Sequence, residues 1–124
     1  MTPVRSRRGR RARQDGRRSE VLCALWLMAK GYRVLGFRLK TPAAEIDLLV
    51  SKGDLVAVVE VKRRTSLDAA LDAVTPRQRD RLLRAARSIT ARRPDLSAAA
   101  IRLDLMALAP RRWPRHIRDA WRDA

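Results

Sequence analysis

The sequence predicts an α/β fold in which one mixed, twisted sheet is flanked by helices. Two segments carry apolar residues at helical spacing, one ending near residue 30 and the other spanning 76–93. Three short apolar runs with strand character lie between them, and a fourth follows the second helix. The order helix, three strands, helix, strand packs most economically as one layered sheet domain.

The first helix is predicted over residues 15–30. Asp15 or Ser19 is expected to cap its start, and Gly31 follows its end, where glycine is favoured. Most of this helix is expected to be buried through one broad apolar face, at positions 21, 22, 25, 28 and 29, which positions 24, 26 and 27 widen. The single cysteine, Cys23, lies in the same run and is expected in the core.

Residues 1–14 precede this helix and are predicted to form a disordered basic arm, with 15–124 as a single domain. The arm is rich in arginine and has no acidic residue, so it is either a phosphate-binding segment or a solvated tail. The run VLCALWLMA imitates an export signal, but Glu20 adjoins it and the run is far shorter than the ~20 residues of a membrane span. A cytoplasmic location without a membrane partner is therefore expected.

The first three strands are predicted at YRVLGFRL, EIDLLV and LVAVVEV. Gly36 is expected to mark a bulge in the first of them. Gly53 and Asp54 suit a two-residue hairpin turn between the second and third. Such a turn sets Lys52 opposite Leu55.

The second helix is predicted to begin at Pro76, with Thr75 as its cap. The segment AAIRLDLMAL, residues 99–108, is the predicted fourth strand, and the short tail after it is expected to end in a helical turn. His116, the one histidine, is expected at the surface. Trp113 and Trp121 either cap the end of the sheet or stack on bases.

Charge is the strongest compositional signal. The 124 residues include 29 Lys and Arg against 13 Asp and Glu, a formal net charge of +16. A domain this basic indicates a polyanionic partner, and nucleic acid gains affinity from each phosphate that is neutralised. The preference for arginine reflects either bidentate phosphate pairing or the base composition of the genome.

Two carboxylates interrupt the second and third apolar strands. Counting back from the turn sets Asp47 opposite Glu60, and Lys62 shares the face of Glu60 by strand alternation. Two close carboxylates repel each other, and without His or Cys they suit Mg²⁺ or Mn²⁺ and the hydrolysis of a phosphodiester. The alternative is an ion-paired strand face, with Glu60 bound to Lys62 or Arg63 and Asp47 bound to Arg38.

Several motifs together resemble a known family. They are GRRSEVL with Glu20, EIDLL, VEVKRR, VTPRQ, RLDL and RHIRDAW. The chain is similar through them to the YraN-like (UPF0102) bacterial family, whose members resemble Holliday junction resolvases of the PD-(D/E)xK nuclease superfamily. The resemblance implies a restriction-endonuclease-like αβββαβ core. By analogy with resolvases it also leaves a homodimer open.

The resemblance assigns roles to particular residues. It implies that Asp47, Glu60 and the backbone carbonyl of Val61 bind the metal and that Lys62 handles the attacking water. Glu20 matches the acid that the first helix turns toward this site, although it is also an ordinary first-turn glutamate. Phosphate contacts are expected from residues that flank the site, namely Arg63, Arg64, Arg77, Gln78 and Arg79.

The chain departs from the family pattern at two places. Ala44 stands where a glycine usually precedes the Glu-Ile-Asp motif, and Gln78-Arg79 stands where relatives often have Lys-Gln. The expected function is a metal-dependent endodeoxyribonuclease acting on structured or branched DNA. The alternatives are a nucleic-acid-binding module with little or no catalysis, and a small ribosome-associated protein.

Overall fold

The computed structural model describes residues 3 to 122, with side chains from Gly16 onward. The elements follow the predicted order with two additions, a short helix before the long second one and a short last strand. They are α1 Pro3–Ala29, β1 Arg33–Lys40, β2 Glu45–Lys52, β3 Leu55–Arg63, α2 Leu67–Asp72, α3 Pro76–Ala91, β4 Ala100–Leu108 and β5 Arg115–Ile117.

One five-stranded mixed sheet follows the chain order from β1 to β5. The β3–β4 pair is parallel, and the other three pairs are antiparallel. The parallel pair requires a crossover connection, which α2 and α3 supply. Lys52 pairs with Leu55 across the hairpin, and the β1–β2 register shifts between Val34 and Gly36. The predicted α/β fold, hairpin register and bulge are confirmed.

The helices cover both surfaces of the sheet. Cys23 and Leu27 of α1 pack with Leu48 and Val59 on one surface. A cluster from α3 packs on the other surface with residues of β2 and β3, among them Leu82, Ala86, Ile46, Leu49 and Val58. Central strands therefore have apolar side chains on both faces, as expected for strands between two helical layers.

The face of α1 that contacts the sheet differs from the prediction. Val21, Leu22, Leu25 and Met28, expected at its centre, are about half exposed, between 47% and 58%. Cys23 and Leu27 are fully buried, as expected. The buried side also includes Ser19 and Glu20. Apolar residues surround this helix on most sides, so their spacing alone does not select the contact face.

The start of α1 also differs from the prediction. The helix begins at Pro3, so Asp15 and Ser19 are both interior positions of α1 and neither caps it. Residues 3 to 14, expected as part of a disordered arm, have helical backbone, but their side chains lie outside the described part of the chain. The phosphate-binding role of this arm stays a prediction.

The ends of the other helices follow the sequence signals. Thr75 and Gln78 form a reciprocal capping box at the start of α3, with Pro76 as its first residue. Gly31 has φ 92° just after α1, a conformation that glycine adopts without strain. Among the described residues, no helix is both long and apolar enough to span a membrane.

Candidate metal and phosphate site

Asp47 lies where regular strand pairing is interrupted on both sides of β2. Toward β1, Phe37 pairs with Leu48 and Leu39 pairs with Ile46, while Arg38 between them has φ 47°. Toward β3, the ladder ends at the pair Leu48–Val59. The predicted ladder pair of Asp47 with Glu60 is therefore not formed.

The interruption changes which way the β2 side chains face. Ile46 packs in the α3 cluster and Leu48 in the α1 cluster, although residues two apart in a regular strand share a face. The Asp47 carboxylate lies between them and accepts the backbone N–H of Val61 at 3.0 Å through Oδ2. A side chain thus continues the β2–β3 contact where the backbone ladder stops.

A cavity of about 340 Å³ opens at this point between α1 and the sheet. Asp47, Glu60 and Lys62 all line this cavity, although the ladder pair from which their proximity was predicted is not formed. The cavity is lined by Gly16, Ser19, Glu20, Asp47, Glu60, Val61, Lys62 and Arg63. The strand residues come from the neighbouring β2 and β3, and α1 forms the opposite wall.

The pKa of Glu60 is raised in this cavity. Burial raises its pKa above the ordinary value, and the negative charge and hydrogen bond of Asp47 raise it further. The ammonium of Lys62, whose Nζ lies 3.4 Å from Oε1 of Glu60, acts in the opposite direction and does not cancel the rise. The site therefore favours an additional positive charge beside Asp47 and Glu60, either a proton or a cation.

Glu20 reaches the same cavity from the buried side of α1 but is held by Arg38. Both of its carboxylate oxygens accept the Arg38 Nε–H, at 3.0 and 2.9 Å. The expected alternative pair of Arg38 with Asp47 is thus replaced by one with Glu20. A Cβ on Gly16 would lie 2.9 Å from the Arg38 guanidinium, so the glycine allows this close approach.

Three basic residues at the end of β3 have different surroundings. Lys62 is mostly buried, with 23% of its side chain exposed. Arg63 donates to the Ser19 hydroxyl at 2.7 Å and so connects β3 to α1 at the cavity. Arg64 is exposed, and its Nη1 donates to the Arg63 carbonyl at 2.8 Å.

The predicted phosphate contacts from α3 do not all lie near the carboxylates. Gln78 shares a smaller cavity of about 220 Å³ with Glu60 and Arg81, although its Oε1 accepts the Thr75 N–H in the capping box. Arg77 is exposed in the first turn. Arg79 lies elsewhere, over the ring of Trp121 at 5.7 Å. It is a packing arginine here because the C-terminal segment covers that side of α3.

Two contributors to the site are not identified by the sequence pattern, which suggests Ser19 as a helix cap and Arg38 as a partner of Asp47. Their actual positions depend on the face of α1 that contacts the sheet and on the left-handed conformation of Arg38, and neither follows from residue spacing. The polar pair Ser19-Glu20 immediately before an apolar helical run is the signal that could have identified the contact face.

The donor set around Asp47 suits a hard cation. Within residues 16 to 122, no group of three or more Asp, Glu, His or Cys side chains is positioned to hold a metal ion. Asp47 and Glu60, with the Val61 carbonyl that the family resemblance adds, would offer oxygen ligands only. Mg²⁺ is bound by one or two carboxylates together with waters and substrate phosphates, so this small set fits it.

Comparison with known proteins shows which family the chain belongs to. The model of the family described as "Uncharacterised protein family UPF0102" matches residues 19–108. A UPF0102 protein of Caulobacter vibrioides strain NA1000 is 61% identical, covering 95% of this chain and 94% of that protein. One from Parvibaculum lavamentivorans is 53% identical, covering 86% of this chain and 80% of that protein. One from Paramagnetospirillum magneticum is 49% identical, covering 94% of each chain. The chain therefore belongs to the UPF0102 family, the YraN-like family that its sequence motifs indicate.

Proposed function

We propose that this chain is a metal-dependent endonuclease that hydrolyses phosphodiester bonds in structured or branched DNA. One observation carries the proposal: Asp47, Glu60 and Lys62 meet around one cavity in which Glu60 lacks sufficient positive charge. In a purely structural ion pair, the lysine would neutralise the Glu60 carboxylate. Here the negative charge of Asp47 opposes the effect of Lys62 on Glu60.

Each of the three residues has a distinct task in this proposal. Asp47 and Glu60 offer oxygens on one side of the cavity, and the Val61 N–H fixes the orientation of the Asp47 carboxylate. When bound there, Mg²⁺ or Mn²⁺ supplies charge neutralisation at the phosphate and lowers the pKa of a bound water. Lys62 orients the attacking water with its ammonium, and Arg63 holds a phosphate oxygen beside it.

Overall charge supports nucleic acid as the substrate. The formal net charge of +16 favours association with any polyanion, and Arg63 at the end of β3 lines the cavity of the carboxylates. The substrate backbone would approach from the end of β3. The positive side chains there compensate the repulsion between the phosphates and the carboxylates of Asp47 and Glu60. Pairing of two copies, expected by analogy with resolvases, stays a prediction.

The second candidate is a nucleic-acid-binding module that retains the fold without cutting. The Glu20–Arg38 pair favours it, because an acid that the family resemblance assigns to the site is bound to a guanidinium through both oxygens. The two candidates differ in whether a divalent metal changes the substrate covalently.

Metal-dependent cleavage tests the proposal. Purified protein is incubated with branched, single-stranded and duplex DNA in Mg²⁺ or Mn²⁺, and binding is measured separately in EDTA. We expect D47N and E60Q to reduce cleavage by more than about 100-fold while binding in EDTA changes by less than about threefold. D95N is the matched control, since Asp95 is exposed and its carboxylate is paired with Arg93.

The outcomes separate the candidates. Cleavage that is equally fast in D47N would come from a contaminant and would refute the proposal. Tight binding by the wild type with no metal-dependent cutting of any substrate would establish the binding module instead. Failure to bind DNA, with RNA bound, would favour the ribosome-associated alternative.

A further inference from the structure

A second basic cavity lies beside the candidate site, at the carboxyl ends of the parallel strands. Its volume is about 260 Å³. Its lining includes Arg64, Thr65, Ser66, Arg112, Trp113 and Arg115. None of these lining residues is acidic, whereas the candidate site contains three acids. The charged residues that line the second cavity are therefore all basic, whereas the candidate site combines acids with Lys62 and Arg63.

Chain connectivity places the two cavities next to each other. Arg63 pairs with Leu108 in the parallel ladder, so β3 and β4 end at the same edge of the sheet. Arg64 follows directly, and its N–H donates to the Leu108 carbonyl at 3.0 Å. Lys62 of the candidate site is two residues earlier on β3. Crevices outside the carboxyl ends of parallel strands are common ligand positions in α/β folds.

Three arginines supply the positive charge of this cavity. Arg64, Arg112 and Arg115 are all exposed residues that line it. Guanidinium groups match phosphate oxygens in bidentate geometry, and the hydroxyls of Thr65 and Ser66 add further polar groups at the rim. The chemistry of the lining fits a phosphodiester and disfavours a cation.

Trp113 adds a feature that phosphate binding alone does not require. Its side chain is 79% exposed, the largest exposure of any large apolar residue in the described part of the chain. The ring is stacked on Trp26, with centroids 5.7 Å apart and planes at 29°. Pro114, the next residue, is buried and anchors the loop. An indole supported from behind and open to solvent is a stacking platform.

From these features we infer that the cavity binds an unpaired nucleotide of single-stranded DNA. Arg64, Arg112 and Arg115 hold its phosphates, and its base stacks on Trp113. A base within a duplex is already stacked on its neighbours, so only an unpaired nucleotide gains from the platform. The inference rests on the proposed function for its role, which is to present the strand next to Asp47 and Glu60. It implies a preference for DNA with a single-stranded segment.

Binding measured without divalent metal tests the inference directly. Labelled short single-stranded and duplex oligonucleotides are titrated in EDTA with the wild type, W113A, W113F and R112A. W113A is expected to weaken single-strand binding roughly 5- to 100-fold, from the usual value of stacking one base, and duplex binding by less than about threefold. W113F, which keeps an aromatic face, is expected to recover most of the affinity.

Matched controls separate stacking from charge and from folding. R112A is expected to lower the salt dependence of single-strand binding by about one phosphate contact. R87A removes the same charge from an exposed position of α3 outside the cavity and is expected to leave the preference for single strands unchanged. Thermal unfolding of each variant checks the fold, and the high exposure of Trp113 predicts little change.

Each result decides the question. Equal losses for single-stranded and duplex DNA in W113A, or no loss at all, would overturn the inference. Tighter Trp113-dependent binding of RNA than of DNA would overturn the assignment to DNA. Trp113-dependent single-strand binding without cleavage would retain this cavity and refute the endonuclease. Metal-dependent cleavage by the wild type, with cleavage and binding unaltered in W113A, would retain the endonuclease and refute the nucleotide site at this cavity.

Discussion

Removal of the charge on Asp104 is expected to destabilise the protein strongly. Asp104 is fully buried in β4, yet its carboxylate accepts bonds from Arg102 Nε and Nη2, each at 2.7 Å, and from His116 Nε2 at 2.8 Å. The Asp119 backbone N–H adds a bond at 3.0 Å. His116, expected at the surface, has only 1% of its side chain exposed and fixes the C-terminal segment.

The expected magnitude follows from what D104N leaves behind. Breaking a buried ion pair by removing one partner costs about 3–5 kcal/mol, because the other charge stays without compensation. The Arg102 side chain is 20% exposed and bonds to the Tyr32 hydroxyl, so partial solvation places the loss near the lower end, about 3 kcal/mol. For a domain of this size that corresponds to a fall in Tm of roughly 10 °C.

Acid should remove the same contribution from the wild type. Burial alone would raise the pKa of Asp104, but hydrogen bonds from His116, Arg102 and the Asp119 backbone together hold the pKa below its usual 3.8. A carboxyl whose folded pKa is depressed stabilises the fold fully above the unfolded pKa, and this is lost as the pH falls through the folded value. The groups around Asp104 are also hydrogen-bonded in pairs: Arg102 donates to the Tyr32 hydroxyl, and Lys30 bonds to Nδ1 of His116.

Urea unfolding of wild type and D104N across pH provides the assay. The difference in unfolding free energy is expected to be constant near neutral pH and to narrow below about pH 4. D95N, at an exposed carboxylate, is expected to cost less than about 1 kcal/mol. A D104N loss below about 1 kcal/mol, or a difference that persists in strong acid, would refute the account of a compensated buried charge.

Three further changes test packing and local conformation by the same unfolding assay. L27A is expected to cost about 2.5–5 kcal/mol because Leu27 is fully buried, whereas L25A on the 58% exposed side of α1 should cost less than about 1 kcal/mol. Equal losses of unfolding free energy in L27A and L25A would contradict the burial of the Leu27 side of α1. T75A removes the capping box of α3 and should cost about 1 kcal/mol, and a loss no larger than that of R87A would contradict it. In G53A the added Cβ meets no neighbouring atom, so its cost comes only from the backbone at φ 57°, and a loss of about 1–2 kcal/mol is expected. No loss of stability would mean that the turn changes type.

The sheet was predictable because its signals are local. The Gly53-Asp54 turn fixes the hairpin register, and a register error would move every side chain of a strand to the other face. That single constraint is enough to bring Asp47 and Glu60 into the same region of the sheet. Thr75 and Pro76 locate the start of α3 in the same way, by chemistry confined to one turn of helix.

The features that were not predictable depend on contacts distant in sequence. Asp104 and His116 meet only when β5 pairs with β4, and a three-residue strand gives no periodic signal. The contact face of α1 is selected by the sheet, which receives Glu20 near Asp47 and leaves apolar Leu25 outside. Arg38 adopts its left-handed conformation within a strand, at a position where the sequence has no glycine to suggest it.

The interruption of strand pairing at Arg38 and Asp47 lowers the stability of the fold but places Asp47 at the candidate site. An arginine with φ 47° is strained by about 1–2 kcal/mol, and a variant of β1 with fully regular pairing would relieve that strain. Regular alternation in β2 would place Asp47 on the α3 side of the sheet with Leu49, away from the cavity beside α1. Selection for heat resistance alone would therefore tend to repair this irregularity, and a repaired strand would no longer direct Asp47 to that cavity.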